Sequence, residues 1–184
     1  MEKETLPARL VALIVLACLG GLAWLAYLGL LHDSWTPLEL AGTAAIATLI
    51  GVAGVFPLPV GPRIKATGTT APLFAGALLL PPGNAALAAV VGGLGYQFAL
   101  RFVPQGLSLP WFKYPFNAGE TSLSTGAASL LFHLLADPGA GFVTPAVPLA
   151  AAVMYLVNTG LISIAAALHS GHNLLWLWWE GTKE

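Results

Sequence analysis

Charged side chains make up only 8% of this 184-residue chain, cysteine occurs once, at Cys18, and no common catalytic signature is present. Each shortage excludes something. So little charge, set against 57% hydrophobic residues and a mean hydropathy of +0.81, does not suit a soluble globular domain and fits a chain that crosses a bilayer repeatedly. The single cysteine rules out an intramolecular disulfide and any cysteine-based metal cluster. A formal net charge of -1 offers no basic surface to nucleic acid. The chain lacks a Gly-x-Ser-x-Gly elbow, a His-Glu-x-x-His pair and a Walker loop, so it is expected to be non-enzymatic and to carry no cofactor. His169 and His172 are spaced for a metal but lack a third ligand nearby, and no metal site is expected.

What remains is apolar sequence divided by turn signals. The segments read as helices over residues 8–31, 37–56, 68–80, 85–103, 116–136 and 146–168. The expected fold is therefore an all-α polytopic membrane protein, a single domain over 1–184. It has six transmembrane helices, and an interfacial C-terminal tail over 172–180 in which Trp176, Trp178 and Trp179 adjoin Glu180 and Lys183. The first segment is longer than a signal-peptide core and lacks a clear polar cleavage region, which makes it a retained helix. Basic residues set the orientation. Lys3, Arg9, Arg63, Lys65, Arg101, Lys113 and Lys183 all fall on one side of a six-pass chain, whereas the opposite connections hold His32, Asp33 and Asp137. The positive-inside rule then places both termini in the cytoplasm.

The stretch from Pro57 to Pro82 is the irregular part. Prolines interrupt it, Arg63 and Lys65 lie within it, and Thr67, Thr69 and Thr70 follow. The apolar run that ends it, from Gly68 to Leu80, would give only ~20 Å of helix, against the ~30 Å of a hydrocarbon core. A short irregular third pass survives at that depth only beside protein or a water-filled cavity. Arg63, Lys65, Thr67 and Thr69 are accordingly expected to act as a gating loop over a sheltered hollow.

Candidate ligand contacts come from the polar residues of the later helices. Asn117, Glu120, Thr121 and Ser124 fall on one face of the fifth helix. A carboxylate about one turn inside a membrane is costly unless paired or wetted, and is a functional candidate for that reason. Pairing with Arg101 or Lys113 near the boundary is the plainer alternative. Tyr96 and Gln97 on the fourth helix, and Tyr155, Asn158 and Thr159 on the sixth, add groups suited to an uncharged or amphipathic small molecule. Inter-helix hydrogen bonding is the plainer account of these as well. The expected ligand-binding set is Glu120, Asn117, Ser124, Tyr96, Gln97 and Asn158. Small residues recur four apart at Ala85, Ala89 and Gly93, at Ala88 and Gly92, at Ala17 and Gly21, and at Ala8 and Ala12, where helix backbones can approach closely.

Two resemblances follow from these stretches. FPLPVGPR, APLFAGALLLPPG and ALAAVVGGLG, in that order within six helices, resemble the S-components of energy-coupling-factor vitamin transporters. That likeness implies a substrate-binding subunit whose Ala8 and Ala12 contact a coupling membrane subunit with its ATPases. PFNAGETSLSTGAASLLFHLL followed by YLVNTGLISIAAAL is similar instead to the multi-helix membrane input region of bacterial HD-GYP and GGDEF signalling proteins. This second likeness implies a sensory or scaffolding module. No output domain follows Glu184 in the sequence, so a separate cytoplasmic signalling partner is expected. Size favours the transporter subunit as the leading expectation. Membrane lipid and a small-molecule ligand are partners under either likeness, and both likenesses imply a bacterial inner membrane.

Overall fold

A computed structural model describes residues 6–31, 35–56, 58–59, 65–66, 68–102, 110–136 and 144–181. Seven helices occur among them: α1 (Ala8–Leu30), α2 (Pro37–Val55), α3 (Thr70–Leu79), α4 (Pro82–Ala99), α5 (Lys113–Leu135), α6 (Ala146–Ser170) and α7 (Leu174–Gly181). A two-residue antiparallel pairing, Leu58–Pro59 with Lys65–Ala66, is the extent of β-structure in the described residues. The all-helical expectation stands. Three helices, α1, α2 and α6, are long and apolar enough to cross a membrane. At 10 residues, α3 is ~15 Å long, as short as its sequence implied.

Local chemistry fixes where the helices start. α2 opens on a capping box: Thr36 Oγ1 accepts from the Glu39 backbone N–H at 3.2 Å, and the Glu39 carboxylate accepts from the Thr36 N–H at 2.9 Å. α4 begins at Pro82 rather than at residue 85. Proline at the first helical position has its φ preset and loses no intrahelical bond, so Pro82, Gly83 and Asn84 form a first turn where a tight turn was expected. Lys113 starts α5 three residues earlier than expected, because Pro115 falls in the first turn, where a missing N–H costs nothing.

α5 is the centre of the bundle and packs against α1, α3, α4 and α6, while α4 lies between α2 and α5. One core gathers Ile46 and Ile50 of α2, Leu73 and Ala77 of α3, Ala85, Ala88 and Ala89 of α4, Phe132 of α5 and Met154 of α6. The small residues of α4 thus serve packing within the chain. A second core joins Leu10, Ile14 and Ala17 of α1 to Phe116 of α5. There the backbones cross closely: a Cβ on Gly119 would strike the Ala17 carbonyl, and one on Gly21 would strike Gly119 Cα. The Ala17 and Gly21 patch is therefore a contact, whereas Ala8 and Ala12 are exposed on α1.

The tail forms a short helix, α7, that packs on α6. α6 ends at Gly171, whose φ of 73° is open to glycine and strained for other residues. The chain then reverses. Asn173 Oδ1 accepts from the Leu175 N–H at 2.8 Å, and the Trp178 indole N–H donates to Thr159 Oγ1 at 3.3 Å. Thr159 is about three turns before the end of α6, so α7 runs back along that helix.

Candidate functional site

Because α5 is central, its polar residues are inside the protein. Glu120, Ser122, Ser124, Thr125 and Ser129 are all buried. Most hydroxyls are satisfied by backbone: Ser122 donates to the Gly21 carbonyl at 3.1 Å and Ser129 to that of Leu80 at 3.0 Å. Such bonds tie α5 to α1 and to the end of α3. Asn84, fully buried, ties α4 to α2 by donating to Thr43 Oγ1 at 3.0 Å.

Glu120 is different, because a carboxylate brings charge as well as acceptors. It is 4% exposed, and its Oε1 accepts from Asn158 Nδ2 at 2.7 Å and from Ser124 Oγ at 3.2 Å. Both partners are uncharged. The alternative of an ion pair with Arg101 or Lys113 is not realised, since Arg101 turns instead to Tyr114, with Nε 2.9 Å from the phenol oxygen. One turn before Glu120, Asn117 Nδ2 donates to Gln97 Oε1 at 3.1 Å, and Gln97 Nε2 donates to the Gly93 carbonyl at 3.0 Å. Tyr96 lies with its ring against Gly54 of α2 and is an electrostatic neighbour of Glu120. Of the six expected ligand contacts, Glu120, Ser124 and Asn158 join α5 to α6, Asn117 and Gln97 pair one turn away between α5 and α4, and Tyr96 packs its ring on α2. Thr121 bonds the Asn117 carbonyl at 2.7 Å beside them, whereas Tyr155, 46% exposed, and Thr159, which faces α7, stay apart.

The expected hollow needs correction. A groove of about 510 Å³ lies between α2 and α4, bordered by Ala47, Gly51, Val55, Gly92, Gly95 and Tyr96. Another, of about 480 Å³, lies over α5 between α1 and α6, bordered by Trp24, Leu123, Ala127, Leu156, Gly160 and Ile164. Both are apolar. Neither is bordered by Glu120, Asn117, Gln97, Ser124 or Asn158, because those side chains bond one another across the helix contacts. Among the expected gating residues, Arg63, Thr67 and the side chain of Lys65 lie outside the described residues. Thr69 immediately precedes α3 and is half-buried.

His133 lies near Ser129, with Nδ1 2.8 Å from its carbonyl oxygen. Among the described residues no group of three His, Cys, Asp or Glu side chains is placed to hold a metal ion. Two features escaped the sequence reading. Ser122 and Thr43 are not singled out by sequence, and only their three-dimensional partners reveal their bonds between helices. The bond from Trp178 to Thr159 is the other, since the sequence implies only an interfacial position for the indole.

A family model, MASE9, matches residues 58–183, from the irregular stretch through α7. No curated protein and no solved structure matches the chain. The match leaves α1 and α2 outside and takes in the whole polar cluster of α4, α5 and α6. It supports the resemblance to membrane input regions and gives no support to the resemblance to transporter subunits. With more than half of its length matched, the chain belongs to the MASE9 family of membrane-associated sensor domains.

Proposed function

We propose that this chain is a non-enzymatic sensory module of a bacterial inner membrane, which detects a small molecule at the Glu120 cluster and reports it to a cytoplasmic signalling partner. In this reading α1 to α6 each pass through the bilayer, α3 as a short irregular pass, with both termini cytoplasmic. Arg9, Arg101 and Lys113 would then share the cytoplasmic side.

The observation that carries the reading is the pair of adjacent residues on α6. Asn158 bonds inward to Glu120, and Thr159 bonds outward to Trp178 of α7. Neighbouring helical positions are 100° apart, so a rotation or slide of α6 alters both bonds at once. A ligand competing for Glu120 or Asn158 gains the hydrogen bonds they now give each other. The difference in ligand affinity between the two positions of α6 drives the shift. A buried carboxylate with amide and phenol neighbours favours a ligand carrying hydrogen-bond donors.

Native mass spectrometry from mild detergent tests this, combined with labelling of a cysteine placed at Leu175 in a Cys18→Ser background. Glu120→Ala should remove the retained molecule and change the labelling rate on α7. A retained molecule that survives both Glu120→Ala and Asn158→Ala, with the labelling rate unaltered, overturns the assignment.

A further inference from the structure

At the end of the bundle where α4 stops and α5 begins stands a second ordered group, independent of the Glu120 cluster. Arg101 follows the C-terminus of α4. Its guanidinium carbon is 5.0 Å from the centre of the Tyr114 ring and 5.8 Å from that of Phe98. Nε is taken by the Tyr114 hydroxyl at 2.9 Å, which leaves the Nη donors for another acceptor. Of the acidic side chains whose surroundings are described, Glu39 serves the cap of α2 and Glu120 bonds Ser124 and Asn158. Neither supplies that acceptor.

The surroundings say what kind of acceptor fits. Phe102, edge-on to Phe98 at 5.4 Å, is 74% exposed, and Trp111 is 75% exposed. Large rings so open to solvent are stable in a headgroup layer and costly in water. Lys113 adjoins Tyr114, and Arg9 stands at the same end, since the first turns of α1 pack on Phe112 and Phe116. A planar guanidinium, held in place by two rings before anything binds, suits two-pronged recognition of a phosphate. We propose that Arg101, Tyr114 and Phe98 form a clamp for the phosphodiester of an anionic phospholipid. Phe102 and Trp111 lie against its upper acyl chains, and Lys113 adds to the attraction for the negative leaflet.

The test uses the full chain in mild detergent supplied with equal amounts of phosphatidylglycerol and phosphatidylcholine, with bound lipid counted by native mass spectrometry. The wild type retains phosphatidylglycerol preferentially. Arg101→Gln lowers that preference about fivefold, the effect of one basic residue at an anionic surface. Tyr114→Phe keeps the ring but frees Nε, and lowers it by a smaller factor of about two. Arg9→Gln, which removes a charge from the same end but lies outside the clamp, lowers it clearly less than Arg101→Gln does. All three side chains are at or near the surface, and unchanged circular dichroism confirms that the variants fold. Three results would overturn the proposal: no loss in Arg101→Gln, an equal loss in Arg9→Gln, which signals diffuse surface charge, or displacement of the lipid by millimolar glycerol phosphate, which identifies a free phosphate as the ligand.

Discussion

Asn158 on α6 donates its side-chain amide to Oε1 of Glu120 on α5 across 2.7 Å, inside the bundle. Inter-helix bonds between neutral groups in membranes average ~0.6 kcal/mol and reach ~1.7. This one belongs near the upper end, because at 2.7 Å it is short and both partners are held within the bundle. A double-mutant cycle of Glu120→Ala and Asn158→Ala, followed by thermal unfolding in detergent, should give a coupling of about 1 kcal/mol. A coupling near zero would mean that the two side chains merely share space.

The crossing of α1 and α5 gives the largest expected stability effect. Gly119→Ala places a methyl group against the Ala17 carbonyl, a backbone atom that cannot rotate away. Overpacking of this kind costs about 1–3 kcal/mol. Gly20→Ala, on the same stretch of α1 with nothing within 4 Å of the new Cβ, should be neutral, or stabilising by up to ~1 kcal/mol through helix propensity. Unfolding midpoints of the two variants, compared in one detergent, should move in opposite directions or differ by several degrees. Equal midpoints would show that the helices can separate without loss.

How far the sequence disclosed this arrangement depends on the range of the signal. The short α3 was legible because prolines and an apolar run of limited length are local features. So was the alignment of Asn117, Glu120 and Ser124 on one face of α5, since helical period alone sets it. The start of α4 was not, because Pro82 is equally compatible with a turn and with a first helical turn, and the packing of Asn84 on Thr43 decides between them. The hollow was misread for a related reason. A line of polar residues looks the same in sequence whether it borders water or bonds to a facing helix, and Gln97 and Asn158 supply the facing bonds. Reversal at Gly171 depends on a single left-handed residue, and glycine alone does not announce it.

That reversal sets the third prediction. Gly171→Ala forces a side chain into the left-handed region at a cost of about 1–2 kcal/mol, more than the ~0.6 kcal/mol expected of a bond such as that from Trp178 to Thr159. Gly171→Ala should therefore loosen α7 from α6 further than Trp178→Phe does. Spin labels on cysteines placed at Ile162 and Leu175, in a Cys18→Ser background, report the separation. Both positions are exposed, so labelling should not disturb the packing. A distance distribution that stays narrow in both variants would show that contacts other than the turn and the indole bond hold α7.

The six-pass topology makes the most direct demand on the membrane itself. α1 and α2 are each long and apolar enough to span, so the link between them must emerge opposite the start of α5 if α3 and α4 together carry the chain across and back. Cysteines introduced singly as Asp33→Cys and Lys113→Cys, again without Cys18, should react with a membrane-impermeant maleimide from opposite faces: position 33 in intact cells, position 113 only after permeabilisation. The short α3 is the point at risk. Were it to dip into the bilayer and return, α4 would not cross alone, yet the chain would reach position 113 on the same side, because α3 and α4 form a hairpin in either case. A cysteine in place of Pro82, at the α3–α4 junction, separates the two: labelling from outside means a full hairpin, and protection from both sides means a re-entrant one. Labelling of positions 33 and 113 from the same side would exclude both and remove the shared cytoplasmic face on which Arg9, Arg101 and Lys113 are placed.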